Sequence, residues 1–207
     1  MKKILKSLLR KTGYEIVCVK NYKKAAAESG KIIYPDWNKI NYGCFNKIFD
    51  DWLNVDINPR TLGASNTLCL DLVKTHPFPD NYFEYAYTED FIEHIAQHEQ
   101  IFFLAEAART MKKNGVLRIS TPDLQKIINK HQPLTGSPAA LKFYMEEYKL
   151  PAHICYLTRD SLESICLGAG FSSIRFLSYQ QSGYSVFRNT DTRPGQQDTN
   201  IFAEIIK

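Results

Sequence analysis

The chain has 207 residues, 44% hydrophobic and 23% charged, which suits one globular domain with a short appendage. Its net charge of +4 is uneven: residues 1–24 hold eight Lys or Arg against Glu15 alone, leaving about +7 there and about −3 elsewhere, so the broad basic face of a nucleic-acid binder is excluded. No run approaches the ~20 apolar residues of a membrane span, and five scattered cysteines without a C-x-x-C pair argue against a disulfide framework or zinc knuckle.

In chain order, the spacing of Ile4, Leu5, Leu8 and Leu9 predicts a helix over 3–11 with lysines around it. Such a helix either docks on the body or makes a peripheral contact, through 1–24, with an anionic membrane or an acidic partner. The start lacks an uninterrupted apolar core and a small-residue cleavage site, so it does not read as a signal peptide. A cytoplasmic chain with reduced thiols is expected. Strands are predicted at Ile40–Tyr42, Trp52–Asp56, Thr67–Leu72 and Phe83–Tyr87, the last preceded by the turn chemistry of HPFPDNYF. From Asp90 the apolar residues recur at helical spacing in two segments, ending at Lys112-Lys113-Asn114-Gly115. VLRIS (116–120) is a strand stopped by Thr121-Pro122. Residues 123–156 read as a helical insertion broken at Gly136–Pro138, with Asp123 as a cap. Thr158-Arg159-Asp160 caps a helix to about Leu167, and Ser172–Leu177 is a strand. Residues 188–198 form a polar loop and Ile201–Ile206 a closing strand. Alternating strands and helices predict an α/β fold with a mostly parallel sheet, the last pair being open to an antiparallel arrangement.

In such a sheet, ligands bind outside the carboxyl ends of the strands. Three of those ends carry Gly43, Asp56 and Asp71. A glycine permits close backbone approach, and a carboxylate can accept both hydroxyls of a ribose, each such bond being worth roughly 1.5–3 kcal/mol. Gly43 and Asp56 are too close in sequence for a full dinucleotide-binding unit, which places its acid ~20 residues on, and G-x-G-x-x-G is absent.

The stretch WLNVDINP, LCLDLVKTHPFPDNYFEYAYTEDFIEHI and LAEAARTMKKNGVLRISTPDL resembles the core of the small class I S-adenosylmethionine-dependent methyltransferases of the type 11 kind. YLTRDSLESICLGAGFSSIRF is similar to that family's later helix and strand, so the resemblance covers about 38–178. It implies a Rossmann-like, mostly parallel sheet of about seven strands flanked by helices. The domain would span 37–207, after a basic appendage at 1–36 and with 123–156 as an acceptor cap. The implied cofactor is S-adenosylmethionine. Gly43 and Cys44 would form its first loop, Asp56 would take the ribose hydroxyls with Ile57 against adenine, and Asp71 would reach the adenine amine beside Leu72. Tyr87 and Thr88 would lie under the methionine part.

The resemblance departs at Phe45, where the family usually has a second glycine. A phenyl group there either closes the loop or blocks the cofactor. The blocked case defines the alternative function, a non-catalytic binding or scaffold protein of the same fold. For the reaction, methyl transfer to a small-molecule or glycan hydroxyl, or an amine, is helped by a general base. The candidates are His94, Asp90 with Glu89, and His153 from the insertion; for Asp90 the competing role is a helix N-cap. His94 and His98 stand at i, i+4, but no third ligand is evident and no metal is expected. The start KKILKSLLRKTGYEI is similar to that of some bacterial methyltransferases of surface-polysaccharide synthesis, which points to a sugar acceptor near the inner membrane face.

Overall fold

Seven short runs rich in apolar and β-branched residues become strands: β1 (Lys39–Tyr42), β2 (Leu53–Asp56), β3 (Thr67–Cys69), β4 (Phe83–Glu89), β5 (Met111–Pro122), β6 (Ser173–Phe176) and β7 (Asn200–Ile206). The computed structural model describes residues 37–58 and 65–207. The appendage at 1–36, with the helix expected at 3–11, lies outside the described residues. The strands form one sheet in the order β3-β2-β1-β4-β5-β7-β6. β1 to β5 pair in parallel, whereas β7 runs antiparallel to both β5 and β6. The chain leaves β1 in one direction through β2 and β3, then returns to the other side of β1 as β4. This reversal creates a crevice at the carboxyl ends of the neighbouring strands β1 and β4.

The two faces of the sheet are covered differently. Helix α1 (Gln97–Thr110) buries Phe103, Leu104, Ala107 and Ala108, and packs beside α4 (Arg159–Gly168), which buries Leu162 and Cys166. They close the larger core, with Ile40, Val55, Ala86, Leu117, Ile119 and Ala203 of the strands. On the opposite face Trp52, Tyr87 and Val116 meet Phe187 from the segment before β7. Helices α2 (Leu124–His131) and α3 (Gly136–Phe143) and a π-helical turn (Tyr144–Lys149) fill the span between β5 and α4. A one-turn α5 (Gln196–Thr199) precedes β7. Asp123 caps α2 by accepting from the Gln125 amide at 2.9 Å, and Thr158 caps α4 through the Ser161 amide at 3.2 Å.

Element boundaries differ from the sequence reading in four places. β3 stops at Cys69 rather than Leu72, because Asp71 turns the chain by accepting from the Val73 amide. β4 continues to Glu89, its ladder with β5 running on through Thr88 opposite Ile119 and Glu89 opposite Ser120. Asp90 then takes a left-handed conformation (φ 46), so it does not cap a helix; a 3-10 turn (Ile92–His94) follows and α1 begins only at Gln97. α1 also ends earlier, at Thr110, and Asn114 supplies a left-handed turn (φ 63) within β5.

The crossover from β1 to β2, residues 43–52, contains no helix. Its buried backbone groups need partners elsewhere. Asn54 accepts from the Phe49 amide and donates to the Phe49 and Trp52 carbonyls, while Asn66 donates to those of Phe49 and Asp50. Asn41 completes this ladder by donating to Asn54 at 3.0 Å. Asparagine side chains thus replace the hydrogen bonds a helix would have made.

Candidate active site

A cavity of about 660 Å³, within the range of small-molecule sites, opens at the carboxyl ends of β1 to β4. Gly43 and Phe45 follow β1, Asp56 and Ile57 end β2, and Leu70 to Val73 follow β3. Asp90 and Phe91 complete the wall after β4, with Arg193 arriving from the loop before β7. Gly43 is fixed by geometry: its φ is +63, and an added Cβ would stand 2.7 Å from the Phe91 ring. The close approach that requires glycine here is that of Phe91.

Asp56 is held in one orientation, its two oxygens accepting from the Phe45 amide at 2.8 Å and the Asn58 amide at 2.7 Å. A carboxylate has about four lone-pair sites, so acceptor capacity remains on both oxygens for a diol. Beside it Ile57 is 52% exposed, an apolar surface suited to one face of a base. Asp71 lies farther along the same wall, paired with Lys74 at 2.9 Å. Phe45 has a glycine-like left-handed backbone (φ 44) and is 55% exposed. It lines the cavity without filling it, while its amide orients Asp56. Acids at two strand ends and an apolar wall fit an adenosine-bearing cofactor.

A second cavity, of about 560 Å³, adjoins the first, with Asp90, His94 and Arg193 common to both. Its walls are largely polar: Glu93, Lys130, Glu147, His153, Tyr156 and Gln196 contribute. The segment 123–156 supplies one side and the loop at 193–200 another.

At the junction Glu93, His94 and His153 each offer a donor atom, the three lying within 4.8 Å of one another. Glu93 is fully buried; burial and the nearby Asp90 charge push its carboxyl up to about 8. Its Oε2 accepts from the Thr121 hydroxyl at 3.0 Å, and its Oε1 has no partner. Desolvation at the cavity wall lowers the pKa of His94 although its side chain keeps solvent access, and burial together with His94 lowers that of His153 to about 4. Both imidazoles are therefore neutral at pH 7. His94 Nδ1 faces the Ala152 carbonyl at 3.2 Å and carries the proton there.

The other candidate residues divide clearly. Gly43, Asp56, Ile57, Asp71 and Leu72 come together on the first cavity. Cys44 does not line it: the side chain is buried, its amide donates to Val55, and burial pushes its thiol up to about 12. Tyr87 and Thr88 also lie off both cavities, because β4 runs on past them. Tyr87 points to the opposite face, its hydroxyl accepting from Lys47 at 3.0 Å, and Thr88 is buried on the α1 face. Asp90 reaches both cavities but is not a free base: Arg193, Gln196 and Asn200 donate to it at 2.8–2.9 Å. His98 is exposed on α1 and stands outside the His94 cluster.

Sequence reasoning missed Glu93, Arg193 and the anchor that carries the late loop. Arg118 of β5 is fully buried and pairs with Asp191 at 2.6 Å, while also donating to the Gln181 carbonyl. One signal was available: an arginine between Leu117 and Ile119 in a central strand requires a buried partner.

Residues 41–119 match a family model described as a methyltransferase domain. No curated protein matches the chain. Among solved structures, the chain is similar to an S-adenosylmethionine-dependent methyltransferase from Archaeoglobus fulgidus (17% identity, TM-score 0.55, covering 90% of this chain and 94% of that one). It is also similar to one from Thermotoga maritima, described as a possible histamine N-methyltransferase (15% identity, TM-score 0.55, covering 91% and 92%). A third, from Mesorhizobium loti, covers 90% of this chain and 98% of its own at 13% identity and TM-score 0.55. The fold is thus the class I, Rossmann-like one, residues 41–119 of it resemble a methyltransferase domain, and S-adenosylmethionine is the cofactor that this match and the fold together indicate.

Proposed function

We propose that this chain transfers a methyl group from S-adenosylmethionine to a hydroxyl of a small-molecule or glycan acceptor. The single observation that carries this reading is the pair of adjoining cavities, which meet at Asp90, His94 and Arg193. When bound, the cofactor supplies an electrophilic methyl group. Asp56, oriented by two backbone amides, holds the ribose hydroxyls, and Ile57 covers the base. Asp71 offers an acceptor for the adenine amine, and Leu72 packs beside it. The second cavity takes the acceptor, and its polar wall suits a hydroxylated molecule better than an apolar one. With cofactor bound, the acceptor oxygen would take the methyl carbon as the methyl–sulfur bond breaks, and the hydroxyl proton would leave toward the wall formed by Glu93, His94 and His153. Asp90 acts as a positioning residue, fixing Arg193, Gln196 and Asn200 at the wall between the cavities. Much of the rate then comes from holding two reactants in line.

The test is transfer of labelled methyl from S-adenosylmethionine to a panel of glycosides and small alcohols. Labelled product from the unaltered chain, reduced at least tenfold by Asp56→Ala, is expected. A chain that binds S-adenosylhomocysteine yet labels no acceptor would instead favour the non-catalytic binding protein.

A further inference from the structure

We propose that Glu93, His94 and His153 form a site for one divalent transition-metal ion of the zinc or manganese kind, open toward the second cavity. The case rests on where protons can sit. Tyr156 donates its only hydroxyl proton to the Glu147 carbonyl, so the Tyr156 oxygen must accept from His153 Nδ1, 2.6 Å away. That leaves His153 Nε2 with a bare lone pair. It faces Glu93 Oε1 at 3.9 Å, too far for a hydrogen bond, and that carboxylate oxygen is buried with no partner. His94 is fixed in the same sense, its Nδ1 proton directed at the Ala152 carbonyl. Two imidazole lone pairs and an unpaired, buried carboxyl oxygen thus converge within 4.8 Å of one another. Bonds of about 2.0–2.2 Å set the ligand atoms of a tetrahedral ion roughly 3.3–3.6 Å apart, so the 3.9 Å between Glu93 and His153 closes with a small side-chain adjustment.

The chemistry of the donors selects the ion. Two imidazoles and one carboxylate suit zinc and its first-row neighbours, whereas magnesium and calcium prefer all-oxygen sets. Backbone carbonyls and a tyrosine hydroxyl behind the two rings provide the outer support that metal-binding histidines use. Three protein ligands leave at least one position free. Glu93, His94 and His153 all line the second cavity, so that position faces the acceptor space. A hydroxyl or vicinal diol coordinated there would lose its proton more readily. This catalytic use rests on the methyltransferase reading; binding of the ion does not. The other group of potential ligands, His131, Glu146 and Glu147, differs in being already neutralised: Glu147 pairs with both His131 and Lys130.

The test is calorimetric titration of the chelator-treated full chain with Zn2+ alone and, separately, with Mn2+ alone, each preparation also being titrated with S-adenosylhomocysteine. One Zn2+ per chain with a micromolar or tighter Kd is expected. His94→Ala and His153→Ala should each weaken it at least tenfold, and His131→Ala should leave it within about twofold. His94 is exposed, so its variant should fold as the unaltered chain does. No ion bound below 1 mM, or affinity unmoved by both histidine variants, would overturn the site. S-adenosylhomocysteine bound without any ion would leave the methyltransferase reading standing while the metal site fell, and the reverse pattern would separate them the other way.

Discussion

The two adjoining cavities are built by opposite strategies. The first is almost local: among the described residues its walls come, apart from Arg193, from 43–99, delivered by four parallel strands whose ends point one way. The second is assembled from three distant stretches, at 90–94, 122–156 and 193–200, and side-chain bonds across more than a hundred residues join the last to the first. A sheet places strand ends by backbone ladders, which tolerate side-chain change. A cavity of loops and helices depends on individual polar anchors, and is correspondingly easy to disable by a single substitution.

The largest expected effect breaks the distant cavity at its anchor. Asp191→Ala removes the nearest charge partner of the buried Arg118 guanidinium and leaves it only Glu204 at 3.9 Å and the Gln181 carbonyl, which should cost up to about 3–5 kcal/mol. Urea unfolding checks this; a loss below about 1 kcal/mol would mean the late loop is held by something else. A smaller effect should come from the local cavity. Gly43→Ala drives a methyl group into the Phe91 ring and must also adopt φ +63, at an expected cost of about 1–3 kcal/mol. The same unfolding experiment should show it, together with weaker S-adenosylhomocysteine binding. The smallest change is Phe45→Gly. The left-handed backbone suits glycine, and the ring is more than half exposed, so stability should move by less than about 1 kcal/mol. If Phe45 merely edges the cavity, S-adenosylhomocysteine affinity should stay within about threefold; a gain of tenfold or more would make it an obstruction.

The same contrast explains what could be read from the sequence. Asp56 and Asp71 were visible because an acid ending a strand-like run is a local pattern, and the sheet converts that pattern into position. The mostly parallel sheet was visible for the same reason. Tyr87 and Thr88 fall off both cavities because β4 runs two residues further than the sequence suggested, to Glu89, so they stand inside the sheet and the residues from Asp90 on reach the cavity mouth. Asp90 was read as a cap or a base, yet its carboxylate is consumed by three donors from beyond residue 190, a pairing that no local pattern encodes. Glu93 was passed over beside His94, since only the fold reveals that it is buried and faces His153.

The central claim, a cofactor cavity and an acceptor cavity that meet at a shared wall, is tested most directly by calorimetry with S-adenosylhomocysteine. The unaltered chain, Asp56→Ala, the shape-preserving Asp56→Asn and His153→Ala would be compared. Micromolar binding is predicted for the unaltered chain, weakened at least tenfold (about 1.4 kcal/mol) by Asp56→Ala, less by Asp56→Asn, and held within about twofold by His153→Ala. No binding at millimolar ligand by a folded chain, or equal losses at Asp56 and His153, would contradict it.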